Sequence, residues 1–120
     1  MVKETESLAM CKEYLGKDVE VVMDKPLGSK HHKYNFLYEA NYGYIPNTKA
    51  PDGDEIDAYF LGVDKPLKKA SGICIAIVHR FKDDDDKVVV VPKDTELSDK
   101  EIQEMVYFQE QWSEYTIIRM

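Results

Sequence analysis

Apolar and polar positions follow two different periods along this chain, and the changes of period divide it into elements. Between residues 5 and 16, Leu8, Cys11 and Leu15 recur three or four apart, the spacing of one face of an α-helix. Thr5 or Ser7 can cap its start and Gly16 can end it. A β-rich middle follows, in which aromatic and β-branched residues predict strands at Val19 to Met23, Tyr34 to Tyr38, Asp57 to Val63, Gly72 to Phe81 and Lys87 to Val91. Pro26 and Gly28 keep the intervening Asp24-Lys-Pro-Leu-Gly-Ser segment out of regular structure. Ser98-Asp-Lys-Glu101 reads as a capping box that opens a second helix, with Ile102, Met105, Val106 and Trp112 on its inward side.

Five short strands with a helix near each end of the chain describe a mainly β, α+β domain: a small closed or partly closed barrel. With 120 residues and no repeat, linker or change of composition, residues 1–120 form a single domain. Cys11 and Cys74 lie in apolar stretches without CxxC spacing, which predicts buried free thiols and a reducing, cytoplasmic setting. The first residues lack a basic segment followed by an apolar run, and no stretch approaches the ~20 apolar residues of a membrane span.

Charge changes the picture. Sixteen basic and 23 acidic residues give a net charge of −7, and only Arg80 and Arg119 are arginine. Such a surface repels nucleic-acid backbones, so a non-catalytic oligonucleotide-binding barrel is disfavoured. Eight of the acids stand in two clusters beside predicted strands, Asp52-Gly-Asp54-Glu55-Ile-Asp57 and Asp83-Asp84-Asp85-Asp86. Carboxylates at that density repel unless cations lie between them, which points to a site for hard divalent metals. Asp52 and Asp54 can project to one side of a turn, Gly53 leaves room for the bend, and Asp57 opens the strand. An EF-hand is excluded, because the sixth and twelfth positions from Asp52 are Asp57 and Val63.

Each motif also has a bland explanation. An acidic turn is usually solvated, and a run of aspartates between strands is usually an exposed hairpin. Read together, the two clusters can meet at one rim of a barrel. Lys30, Lys33 and Lys87 stand in or beside the relevant loops, and Asn41-Tyr-Gly-Tyr44 adds hydroxyls that can orient a phosphate or pack in the core. His31, His32 and His79 show no metal-ligand spacing.

In their order, Asp24-Lys-Pro, Lys33-Tyr, Asn41-Tyr-Gly-Tyr-Ile45, the DGDxxD core from Asp52 to Asp57, and Asp85-Asp-Lys-Val-Val-Val-Val-Pro92 resemble the soluble family I inorganic pyrophosphatases. The resemblance implies a five-stranded oligonucleotide-binding-type (OB) barrel that hydrolyses pyrophosphate with Mg²⁺, as a homo-oligomer. It implies metal ligands at Asp52, Asp57 and Asp85, a further one at Asp83 or Asp84, and Asp24 where the family usually has glutamate. It implies that Asp54 handles the attacking water, and that Lys33, Tyr42 and Lys87 hold the phosphates.

Three positions depart from the pattern: Asn35 replaces a glutamate, no arginine falls between Lys33 and Asn41, and Trp112-Ser113 stands where a tyrosine-lysine pair is usual. Arg80 or Lys30 can take over the lost anion contacts. Alternatively, a wider pocket accepts a substituted diphosphate such as a nucleotide or small phosphorylated metabolite, or the chain is an inactive metal-binding relative.

Overall fold

The computed structural model describes residues 4–83 and 85–120; Asp84, one of the expected ligands, lies outside the described residues. Helix α1 (Glu6–Lys12) starts where the Thr5 hydroxyl accepts the Leu8 N–H at 3.1 Å, so Thr5 rather than Ser7 is the cap. Its last turn loosens before Gly16, whose N–H donates to the Cys74 carbonyl at 2.8 Å.

Six strands follow: β1 (Asp18–Lys25), β2 (Asn41–Ile45), β3 (Ile56–Phe60), β4 (Lys69–Arg80), β5 (Lys87–Val91) and, after helix α2 (Asp99–Glu110), β6 (Tyr115–Ile118). They pair in the order β1-β2-β3-β5-β4-β6, and a further β1–β4 pairing closes five of them into a ring. This is the expected OB-type barrel, with β6 added outside on β4. All pairings are antiparallel except β3–β5.

Strand alternation builds two cores. Val19, Val21, Ile45, Ile56, Ala58, Phe60, Val88 and Val90 fill the barrel interior, closed at one end by Leu8 and Cys11 of α1. Tyr59, Leu61, Val78, Val89 and Val91 face the other way and pack beneath Ile102, Val106 and Phe108 of α2. Strand β5 is therefore buried on both faces, which explains the unbroken apolar run of its four valines, 88–91. A register shift between Cys74 and Ala76 lets β4 turn Cys74 and Ile77 inward and Ala76 and Val78 outward. Cys11 and Cys74 are free and buried, as their settings predict.

Two expectations are corrected. Tyr34 to Tyr38 is not a strand: its backbone closes a narrow loop, with His31 N–H on the Phe36 carbonyl at 2.9 Å and Tyr38 N–H on the Ser29 carbonyl at 2.7 Å. The missing wall is supplied by Asn41–Ile45, anchored where the buried Asn41 amide accepts from the Leu27 and Leu67 N–H groups and donates to the Lys65 carbonyl. Trp112 lies beyond the end of α2 and is 68% exposed; Phe108 occupies the inward position instead. The capping box is formed as expected, with Ser98 and Glu101 exchanging hydrogen bonds of 3.0 and 3.1 Å.

Candidate active site

Parallel pairing of β3 and β5 places Asp57 directly beside Lys87, and antiparallel pairing of β2 and β3 places Tyr42 beside Tyr59. Lys87 is almost wholly buried. Its Nζ stands 3.1 Å from Asp85 Oδ2, 3.5 Å from Asp57 Oδ2 and 5.5 Å from the centre of the Tyr42 ring. An ammonium at such depth is tolerated because Asp85 supplies a charge partner and Asp57 a second oxygen beside it.

The carboxylates in turn feel each other. Burial, reinforced by the neighbouring Asp85 and opposed by Lys87, pushes the Asp57 carboxyl up to about 7. Burial acts on Asp85 in the same sense, but Lys87, the Asp57 proton and Arg80 outweigh it and hold Asp85 below the usual carboxylate range. The pair thus retains a proton that a cation can displace. Burial, and then the charge of Asp57, raises the Tyr42 hydroxyl well above its ordinary value, so it is a neutral donor at every physiological pH.

The turn before β3 is tied by its own atoms. Asp52 Oδ1 accepts the Asp54 N–H at 3.0 Å, and Gly53 takes a φ of +93°, a conformation that favours glycine. Asp52 and Asp57 meet Asp85 and Asp86 around one small enclosed cavity against α1. The two acid-rich loops, 26 or more residues apart, are therefore neighbours. The carboxylates on its wall and a fully buried Asp86 Oδ2 without a hydrogen-bond partner among the described residues fit a hard divalent cation. Among the described residues, no three acidic, histidine or cysteine side chains already stand at the mutual spacing that grips one ion.

The other expected residues are more dispersed. Asp54 is exposed and does not line the cavity. Asp24 is exposed at the end of β1, where its charge and that of Asp57 add to burial in raising the Tyr38 hydroxyl to about 12. Lys33 is exposed in the loop after His31, and its N–H donates to His31 Nδ1 at 3.0 Å. Asp83 faces Arg80, 3.7 Å from Nη1.

Arg80, expected as a substitute anion contact, is engaged by carboxylates. Its guanidinium donates to both oxygens of the buried Glu110 and to Asp85 at 3.2 Å. The His79–Asp86 pair was not anticipated as part of the site: His79 Nδ1 lies 2.9 Å from Asp86 Oδ1, and both side chains are buried. The signal was present in the sequence, since Asp86 shares the inward parity of Val88 and Val90.

A family model described as inorganic pyrophosphatase matches residues 9–116. The inorganic pyrophosphatase of Neisseria meningitidis serogroup A is 35% identical over 102 residues, covering 66% of this chain and 56% of that protein. That of Haemophilus influenzae is 41% identical over 66 residues, covering 49% of this chain and 36% of that protein. The chain spans about half the length, or less, of these curated relatives. Among solved structures, an inorganic pyrophosphatase from Ehrlichia chaffeensis superposes with a TM-score of 0.68 at 17% identity, over 88% of this chain and 87% of that one, and shares the fold. One from Neisseria gonorrhoeae gives a TM-score of 0.58 at 26% identity, over 77% of this chain and 71% of that one. Matched by that family model over nearly all its length and folded as these structures are, the chain belongs to the inorganic pyrophosphatase family.

Proposed function

We propose that this chain hydrolyses inorganic pyrophosphate to two phosphates with Mg²⁺. The observation that carries the reading is the buried Lys87, bracketed by Asp57 and Asp85 beside the Tyr42 hydroxyl in a member of this family. Asp52, Asp57 and Asp85, with Asp83 or Asp84, would hold the cations. When bound, these supply Lewis acidity and neutralise the charge of the polyanionic substrate.

The chain's own groups supply the rest. Lys87 presents a fixed positive charge to a phosphate, in a water-poor setting where it acts most strongly. Tyr42 donates a neutral hydrogen bond that its raised pKa keeps available. Asp54, on the exposed side of the turn, accepts the proton of the attacking water, and Lys33 approaches the departing phosphate from its loop. Family membership further supports a cytoplasmic homo-oligomer.

A second reading has one observation in its favour. A run of rings leads away from the site, Tyr42 to Tyr38 to Phe36 to Trp112, with centres 5.7, 5.9 and 5.7 Å apart, and ends in an open groove of about 580 Å³. A diphosphate carrying an aromatic base can stack there.

Phosphate release measured on inorganic pyrophosphate, nucleoside diphosphates and triphosphates, with and without Mg²⁺, separates the two. Turnover of pyrophosphate that Asp54→Asn lowers by about 100-fold, with the fold intact, is expected. Turnover confined to nucleotides supports the second reading, and no turnover of any substrate refutes both.

A further inference from the structure

Asp86 has no ligand role in the function proposed above, yet it is the most deeply buried of Asp83, Asp85 and Asp86, the three clustered aspartates that the structure describes. Its Oδ1 is fully used, accepting the Arg80 N–H at 3.1 Å and standing 2.9 Å from His79 Nδ1. His79 is itself buried, its ring edge against Phe81 with centres 5.6 Å apart, so the pair is fixed in one arrangement. Oδ2 is left without a hydrogen-bond partner among the described residues. A carboxylate oxygen buried without a partner is costly, because nothing replaces the water it gave up.

The cavity beside it explains what can relieve that cost. Its volume of about 10 Å³ admits one water or one ion and no phosphate. Its polar walls include Asp52, Asp57, Asp85 and Asp86, whereas the nearby ammonium of Lys87 is already held between Asp57 and Asp85. On the α1 side the Cys11 thiol is pushed up to about 12, by burial first and by Asp86 next, and so stays neutral. A water brings no charge to this set, whereas a hard divalent cation matches its oxygens.

We infer that Asp86 is an additional cation ligand in this chain, its free oxygen binding from the barrel-interior side an ion shared with Asp52, Asp57 or Asp85. His79 and the Arg80 amide are then positioning groups that aim the carboxylate. The inference rests on the proposal that the acidic cavity takes divalent cations, and it adds to that proposal a buried ligand from the residue that precedes β5.

The test uses the full chain stripped of metal and titrated with Mn²⁺ by calorimetry and electron paramagnetic resonance, comparing wild type, Asp86→Asn and Asp57→Asn. Phosphate release from pyrophosphate is followed in the same samples. Asp86→Asn is expected to weaken at least one Mn²⁺ by about tenfold or more, without lowering the metal-free melting temperature. Wild-type stoichiometry and affinity in Asp86→Asn, in a protein that binds Mn²⁺ and turns over pyrophosphate, overturns this inference alone. A wild type that neither binds Mn²⁺ nor turns over pyrophosphate overturns the site itself. Should Asp86→Asn fail to fold, Mn²⁺-soaked crystals of the wild type decide: an anomalous peak at bonding distance from Asp86 Oδ2 supports the assignment, and its absence there refutes it.

Discussion

Arg80 and Glu110 form a two-pronged ion pair, with Nε donating to Oε1 at 2.8 Å and Nη2 donating to Oε2 at 3.1 Å. The same carboxylate accepts the Tyr59 hydroxyl at 2.6 Å, and that hydroxyl accepts from Gln109 Nε2 at 2.7 Å. This network ties the end of α2 to the barrel wall and steadies Asp85 through the remaining arm of Arg80. Glu110→Gln leaves Arg80 half-paired at a nearly buried position and is expected to cost about 3 kcal/mol in urea denaturation. Replacing Arg80 and Glu110 together by apolar residues is expected to cost less than Glu110→Gln alone.

On the proposed reading Lys87 serves the substrate and not the cations, and the two roles can be separated by mutation. Lys87→Met removes positive charge from between Asp57 and Asp85, so Mn²⁺ affinity measured by calorimetry should hold or tighten. The kcat/KM for pyrophosphate in the same protein should fall by about 100-fold. A parallel loss of both would assign Lys87 to the scaffold.

Asp57 gives the metal-free protein an unusual pH dependence. Its carboxyl titrates at about 7 when folded, against 3.8 ordinarily, so across that interval the folded state holds a proton that the unfolded state lacks. Stability contributed by this group is therefore present below the ordinary value and lost as pH rises towards 7. Asp85 shifts in the opposite direction and acts only below the ordinary carboxylate value, outside this window. Urea unfolding in EDTA should show a decline of about 1–2 kcal/mol between about pH 4.5 and 7.5, after allowance for partial solvent screening. Asp57→Asn should flatten the slope.

Gly43 marks the tightest approach between β1 and β2. A Cβ there would lie 1.8 Å from the Val22 carbonyl oxygen and 2.7 Å from the Met23 Cα, both backbone atoms that cannot swing aside. Gly43→Ala is expected to destabilise by more than about 3 kcal/mol or to prevent folding. At Gly53 nothing lies within 4 Å of an added Cβ, and only the positive φ resists it. Gly53→Ala should cost about 1–2 kcal/mol, measurable as a shift in melting temperature.

What could be read from the residues depended on whether a signal was local. β5 was legible from its valines, and α2 from Ser98 and Glu101, because each carries its own period or cap. β2 was not, since Asn41 and Gly43 disfavour a strand locally and are there for distant reasons, the staple to Leu27 and Leu67 and the approach to Val22. Tyr34 to Tyr38 misled in the reverse sense: its aromatic composition is that of a strand, but its rings stack within a loop beside His31. In the site, motif order named Asp57, Asp85 and Lys87, which the fold places side by side. The parity of Asp86 with Val88 and Val90 signalled its burial, but its pairing with His79 was hidden, because it depends on the hairpin between β4 and β5.

The parallel seam between β3 and β5 has a consequence for biogenesis. β5 is inserted between two strands already made, and residues 61–86 must emerge from the ribosome before it can pair with β3. Until that insertion, Asp57 and Asp85 belong to separate pieces of a nascent chain and do not repel. Sealing the wall is thus the step that brings the acidic loops together, so the ionic composition of the surrounding medium bears on how fast β5 docks.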